Sequence, residues 1–428
     1  MQDRTGLRST RQILLTGRKA MKSFCLMVFL WCIFPKADAA IGDWTVYSAY
    51  HNATKVVMLD GKVYALCDGS LFSYDPEDTS VETYDKTNVL NGSGIIDILP
   101  CTNEHVLAVI YDDGNIDLLD ADGEVYNMPE LLQKTLDDKT VNDVMTEGSK
   151  IYVSTNSGIV VIDVRRRVVD NFYSFGHQVK SIVIVDGNII AACSDGVFKG
   201  NQATNLLDRN NWSLVNSAHF THLTRLDSKI YAYSSLLYEI TDNSTFGFKS
   251  LGNYSVNDWN VVGDRLFVYT SGKVVSIGKD GSIQSIDAPN VNYMIARNAG
   301  NYWVASSQQG LIDATLSGTV IKPAGTVICP EGPWRNYAYN MTMEDGTLLI
   351  AGGAFTYPEV SREGTIMQYA DGKWSAFDEE DAIKAVGSDF YRNITDVVRD
   401  ESEPNHYFAG AACSGLYEFR DGKMVKHY

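Results

Sequence analysis

One phrase recurs along this chain and limits what it can fold into. At Ile151–Asp163 it reads IYVSTNSGIVVID. Two runs of alternating, β-branched and aromatic residues flank a short turn closed by a glycine, the pattern of a β-hairpin. Glycines head the second run at 69, 114, 158, 196, 272, 310, 364 and 415, in steps of 45, 44, 38, 76, 38, 54 and 51 residues. The step of 76 is two units of 38. Its missing copy is IYAYSSLLYEIT at 230–241, where Ser235 stands at the glycine position. Nine units with a period near 40, each long enough for about four short strands, predict β-propeller blades.

One unit parses in full. VNDVM at 141–145 reads as the inner strand, 151–155 and 159–163 as the central hairpin, and VVDNF at 168–172 as the outer strand. The same four pieces recur over 394–428. PELLQK at 129–134 predicts a single helical turn. The expected fold class is all-β: a β-propeller of about nine four-stranded blades. Rings close with about four to eight blades, so nine imply two groups or incomplete rings. The polar stretch 201–220 is the expected boundary, giving blades over 44–215 and further blades over 216–428. Trp44–Tyr47 (WTVY) is expected to add a lone strand to another blade's outer edge.

The first 39 residues are of a different kind. Lys22, the apolar run Ser23–Phe34 and Ala37-Asp38-Ala39 predict a secretory signal peptide over 21–39, with 1–20 an over-extended start. Cys25 and Cys32 follow Phe24 and Trp31, so no lipid anchor is expected, and no later segment is apolar enough to span a bilayer. Removing the leader leaves 29 of the 36 Lys and Arg against 51 of the 53 Asp and Glu. Such a surface excludes nucleic acid as a general partner and repels anionic lipid except at a local basic patch. Cys67, Cys101, Cys193, Cys329 and Cys413 remain. Three of them end the strand before the repeated turn, and equivalent positions in different blades do not meet. Buried small hydrophobes are expected rather than a disulfide set.

Few motifs carry chemistry. Arg165, Arg166 and Arg167 form the one dense basic run after the leader and are the candidate ligand-binding residues, as an anion contact at a blade turn. Asp112, Asp113, Asn115, Asp117, Asp120 and Asp122 cluster near two turns, but the spacing of a calcium loop fails and turn chemistry accounts for them. His219 and His222 lie three apart and would face opposite ways in a strand. No metal ligand, cofactor or catalytic residue is assigned. Nucleophile-elbow and Asp-box signatures are absent. Trp259, Trp303, Trp334 and Trp374 are either blade core and rim or a platform for a glycan.

The N-terminal blades resemble those of the PorZ family of the type IX secretion system. The residues carrying this are WTVYSAYHNATKV at 44–56, LFSYDPEDTSVETYDKTNVLNGSGIIDI at 71–98, YDDGNIDLLDADGEVYNMPEL at 111–131, and then IYVSTNSGIVVID and ACSDGVFKG. NHYFAGAACSGLYEFRDGKMVKHY at 405–428 resembles later blades of the same family. The blade phrase is similar, more generally, to two-component-regulator-type propellers. The resemblance implies two propellers and a β-sandwich, with the chain leaving the first ring after about four blades. This sequence ends on a blade without a sandwich and is expected to be a truncated or minimal form.

The resemblance further implies a non-enzymatic, exported protein at the periplasm or surface of a Gram-negative outer membrane. Its implied partners are a sortase-like cysteine proteinase, porin-like outer-membrane proteins and anionic lipopolysaccharide. Alternatives are a periplasmic ligand sensor and a propeller-fold polysaccharide lyase or glycosidase. A paired-carboxylate or metal site in a central tunnel would favour the enzyme.

Overall fold

The computed structural model describes residues 44–133, 138–354 and 362–428, so the leader expected over 1–39 lies outside the described residues. From residue 46 onward the chain forms nine four-stranded antiparallel units, each from four consecutive strands. Blades 1 to 7 cover 53–84, 95–128, 141–173, 179–216, 222–252, 256–287 and 291–328; blades 8 and 9 cover 340–376 and 394–427. The one helical turn expected near 129 is Glu130–Gln133.

The opening phrase is the centre of blade 3. Lys150–Thr155 pairs with Gly158–Asp163 in register Thr155↔Gly158 to Lys150↔Asp163. Nearly every residue of both strands is buried, because neighbouring blades cover both faces. The glycine has a further cause besides the turn. Gly158 has φ +137°, and a Cβ there would lie 2.3 Å from the Tyr173 carbonyl oxygen. The end of the outer strand crosses against the turn, leaving no room for a side chain.

The nine blades divide as seven and two. Inner strands of blades 1 to 7 pack in sequence, and that of blade 7 packs on that of blade 1. At this seam the Asn292 side chain donates to the Ala53 carbonyl at 2.7 Å, and the Gly310 N–H donates to the His51 carbonyl at 2.7 Å. Phe72 and Tyr74 of blade 1 share one buried cluster with Trp303, Leu311 and Ile312 of blade 7. A seven-bladed ring therefore closes over 53–328. Blades 8 and 9 pack on each other through Leu349, Ala351, Tyr407 and Tyr417.

This corrects three expectations. The stretch 201–220 is not a break: it supplies the outer strand Trp212–Asn216 of blade 4, and blades 4 and 5 share Val183, Ile190, Phe220 and Leu223 in one core. Its polarity comes from lying on the ring's solvent-facing perimeter. The chain does not leave the first ring after four blades. No strand forms over 44–50, so WTVY closes no blade. Instead the Tyr47 ring sits 5.5 Å from those of Tyr369 and Trp374 in blade 8.

The link 329–339 ties blade 8 to the ring. Asn336 accepts from the Ala49 N–H at 2.6 Å and donates to the Asp68 carbonyl at 3.0 Å. The Trp334 ring lies 4.2 Å from that of His51. Arg335 is largely buried and pairs with Glu379 at 2.7 Å and with Glu363. No described helix is long and apolar enough to cross a membrane.

Candidate functional site: the channel of the seven-bladed ring

Seven inner strands surround a channel of about 670 Å³. Six of them carry a β-bulge near the start, shown by register shifts at Ala53/Lys55, Ile95/Asp97, Val141/Asp143, Val179/Ser181, Val256/Asp258 and Val291/Tyr293. A bulge re-aims the side chain that follows it. The residues just after the bulge, Lys55, Asp97, Asp143, Asp258 and Tyr293, all line the channel. Blade 5 has no bulge in this register and contributes Leu223.

The aspartates do local work. A bulge leaves a main-chain N–H without its ladder partner, and a short carboxylate can take it. Asp97 accepts from the Ile98 N–H at 2.7 Å, Asp143 from Val144 at 2.9 Å, and Asp258 from Trp259 at 2.7 Å. Asp396 does the same with Val397 at 2.9 Å in blade 9, outside the ring.

Three carboxylates, Asp97, Asp143 and Asp258, share the channel with Lys55 and Arg225, and Arg225 pairs with Glu147 at 2.8 Å. Lys55 makes an ion pair with Asp97, and its ammonium lies 5.6 Å from the centre of the Tyr293 ring. Burial opposes the Lys55 charge, but Asp97, Tyr293 and Asp258 outweigh it and hold the ammonium well above its ordinary value. Burial pushes the Asp143 carboxyl up to about 7, helped by the charge of Asp97 and opposed by its hydrogen bond with the Ser181 hydroxyl. Burial pushes Asp258 up to about 6, with Lys55 opposing. The channel therefore exchanges protons near neutrality.

Motif reading of the sequence assigned none of these residues. The signal was present: Asp stands third in the inner strand in IID (95–97), VND (141–143), VND (256–258) and ITD (394–396). Paired carboxylates in a tunnel would favour an enzyme. Their recurrence in blade 9, where Asp396 makes the same bulge contact outside the ring, supports a scaffold role instead.

The basic triplet lies elsewhere, on the outer turn of blade 3. All three side chains are exposed. Arg166 is held by Asp163 at 2.9 Å and Asp170 at 2.7 Å. Arg167 lies over the Tyr126 ring at 4.8 Å. Arg165 alone is uncommitted, so the three do not converge.

Asp113 and Asp120 accept main-chain N–H groups of their own turns, and buried Asp117 accepts from Asn91, Tyr111 and Asn127. The four tryptophans form no common platform: Trp303 is core, Trp259 lines the channel, Trp334 stacks on His51 and Trp374 meets Tyr47. The five cysteines among the described residues are free, with Cys67, Cys101 and Cys193 buried and Cys413 exposed.

Residues 63–213 match a family model described as the N-terminal β-propeller domain of PorZ of the type IX secretion system. This segment is PorZ-like. It covers about a third of the chain and lies within the seven-bladed ring. Among solved structures, that of PorZ from Porphyromonas gingivalis, an essential bacterial surface component of the type IX secretion system, matches with a TM-score of 0.75 and 24% identity. The match covers 90% of this chain and 53% of that one, so the chain spans about half the length of the PorZ structure. It establishes the propeller fold.

Two extracellular domains from B. thetaiotaomicron are more distant. That of the putative hybrid two-component system BT3049 gives a TM-score of 0.36 at 14% identity, covering 92% of this chain and 60% of that one. That of the putative one-component system BT4673 gives 0.34 at 10%, covering 91% and 62%. No curated protein matches the chain.

Proposed function

We propose that this chain is a non-enzymatic, exported binding protein of the type IX secretion machinery, PorZ-like in its ring, that engages a protein partner at the cell envelope. The observation carrying this reading is the PorZ-domain match over 63–213, which falls wholly inside the closed ring. A rigid ring offers its channel mouth and blade turns as a recognition surface. The sortase-like cysteine proteinase and the porin-like outer-membrane proteins are the partner classes named by the resemblance. Protein is favoured over anionic lipopolysaccharide because two of the three arginines in the basic triplet are already engaged.

Pull-down with the tagged chain from detergent-solubilised outer membrane of a type IX-competent bacterium tests this. Recovery of secretion proteins is the expected result. Recovery of lipopolysaccharide alone, lost in an Arg165–Arg167 triple-Ala variant, would replace protein by glycolipid as the ligand. Recovery of neither would overturn the proposal.

A further inference from the structure

The turn between the first and second strands of blade 9 brings together two carboxylates and a histidine. Asp400, Glu403 and His406 each bring one ligand atom into a space where all lie within 4.8 Å of one another. His406 Nδ1 lies 3.0 Å from Asp400 Oδ2 and 3.4 Å from Glu403 Oε2. For metal–ligand bonds of about 2.0–2.1 Å, the edge of a tetrahedron is roughly 3.3 Å. These separations suit three corners around one small cation.

The second observation concerns what holds each of the three. Asp400 turns its other oxygen, Oδ1, to the Ser402 N–H at 2.9 Å and the Ser402 hydroxyl at 2.7 Å. Glu403 gives its other oxygen to Arg420. His406 turns Nε2 to Glu418 Oε1 at 3.0 Å, and the other oxygen of Glu418 accepts from the Tyr428 hydroxyl at 2.7 Å. An ionised carboxylate only accepts, so Nε2 carries a proton that it donates to Glu418. By the same rule Nδ1 carries a proton toward Asp400, beside Glu403, and an incoming cation displaces that proton. Each inward atom is thus aimed by a separate outer partner, and a histidine backed by a carboxylate is the usual support of a metal-bound imidazole. The imidazole is 5% exposed, while Glu403 stays half open to solvent.

We propose that Asp400, Glu403 and His406 bind a divalent transition cation of the zinc type, with a fourth position open to water or to an incoming ligand. One imidazole nitrogen and two carboxylate oxygens select zinc-like ions over calcium, which takes six to eight oxygens. The bound ion pins the turn 400–405 to the second and third strands of blade 9. The site is independent of the ring's role as a recognition surface.

Zinc titration of the chelator-stripped full chain by calorimetry, with cobalt(II) as a spectroscopic probe, tests this. One equivalent should bind, with a rise in the unfolding midpoint and no thiolate-to-cobalt charge-transfer band. Because His406 is buried, His406→Gln can fail to fold, so Asp400→Asn and Glu403→Gln carry the decision. Each should weaken binding at least tenfold with circular dichroism unchanged. Two results overturn the proposal. One is no stoichiometric uptake by the full chain. The other is uptake that both variants retain or that shows thiolate ligation.

Discussion

Replacing Asp143 by Asn isolates the charge on the channel wall. Asn is nearly isosteric: its oxygen keeps the Val144 N–H, while its NH2 replaces the oxygen that accepted from Ser181 and donates to that hydroxyl, which can turn to the Leu223 carbonyl. The titration is lost and the bond with Ser181 reverses direction. The folded-state carboxyl sits at about 7 against an ordinary value of 3.8, so the folded chain binds the proton more tightly than the unfolded chain. Stability from this group is full below about pH 4, falls as pH rises from about 4 to about 7, and stays lost above that. Each pH unit across that interval corresponds to about 1.4 kcal/mol, giving about 4 kcal/mol at the upper limit. Water entering an open channel screens the charge, and half that value, about 2 kcal/mol, is the working figure. Urea midpoints for the parent and Asp143→Asn at pH 5 and pH 8 read it out. Between pH 5 and pH 8 the parent should lose about 1.3 kcal/mol more than the variant, since only about two of the three pH units lie above pH 5, and the variant should be the more stable of the two at pH 8. Equal pH dependence, or a variant weaker at pH 8, would refute the assignment of a costly buried charge to Asp143.

Lys55→Met removes the cation from the same wall. Both partners of the Lys55–Asp97 pair keep about a fifth of their side-chain surface, so the loss should be about 3 kcal/mol at pH 8, at the low end for breaking a buried pair. It should shrink at pH 5 as neighbouring carboxyls take up protons, by the same urea midpoints. Gly158→Ala should cost about 2–3 kcal/mol because its Cβ would overlap the Tyr173 carbonyl oxygen. Gly410→Ala, with nothing within 4 Å of the added carbon, is its near-neutral control. Alkylation followed by mass spectrometry should label exposed Cys413 first, and buried Cys67, Cys101 and Cys193 only after unfolding.

Hairpins and blades were legible because each is local. The strands of 151–163 are written in their β-branched residues, and the glycine at 158 in the close pass of Tyr173. Partition of the blades was not legible. Ring closure depends on Phe72 and Tyr74 meeting Trp303 and Leu311, more than 200 residues away, and every blade carries apolar residues of the same kind. Polarity at 201–220 marked a perimeter strand, which sequence does not distinguish from a linker. At the candidate site, density of charge misled. Arg165–Arg167 stand together in sequence, yet Asp163, Asp170 and Tyr126 disperse them. The channel aspartates, at 97, 143 and 258, stand 46 and 115 residues apart in sequence and were visible only as an Asp at the third place of the inner strand, a place that Asp396 also takes in blade 9.

The ring has no strand shared between its first and last blades. Each blade is woven from its own consecutive strands, with a single parallel bridge, Asp287 to Val320, between the outer strands of blades 6 and 7, so the circle is a row of blades bent round until its ends touch. At the 7–1 seam the main chain contributes the Gly310–His51 bond and an acceptor at Ala53, and side-chain packing does the rest. Parting the ring there breaks no ladder of main-chain hydrogen bonds. Tension on the segment at 46–52, which enters blade 1 beside that seam, loads the joint directly rather than shearing a sheet. Pulled from there, the wall of the channel would open sideways, a slot rather than a mouth.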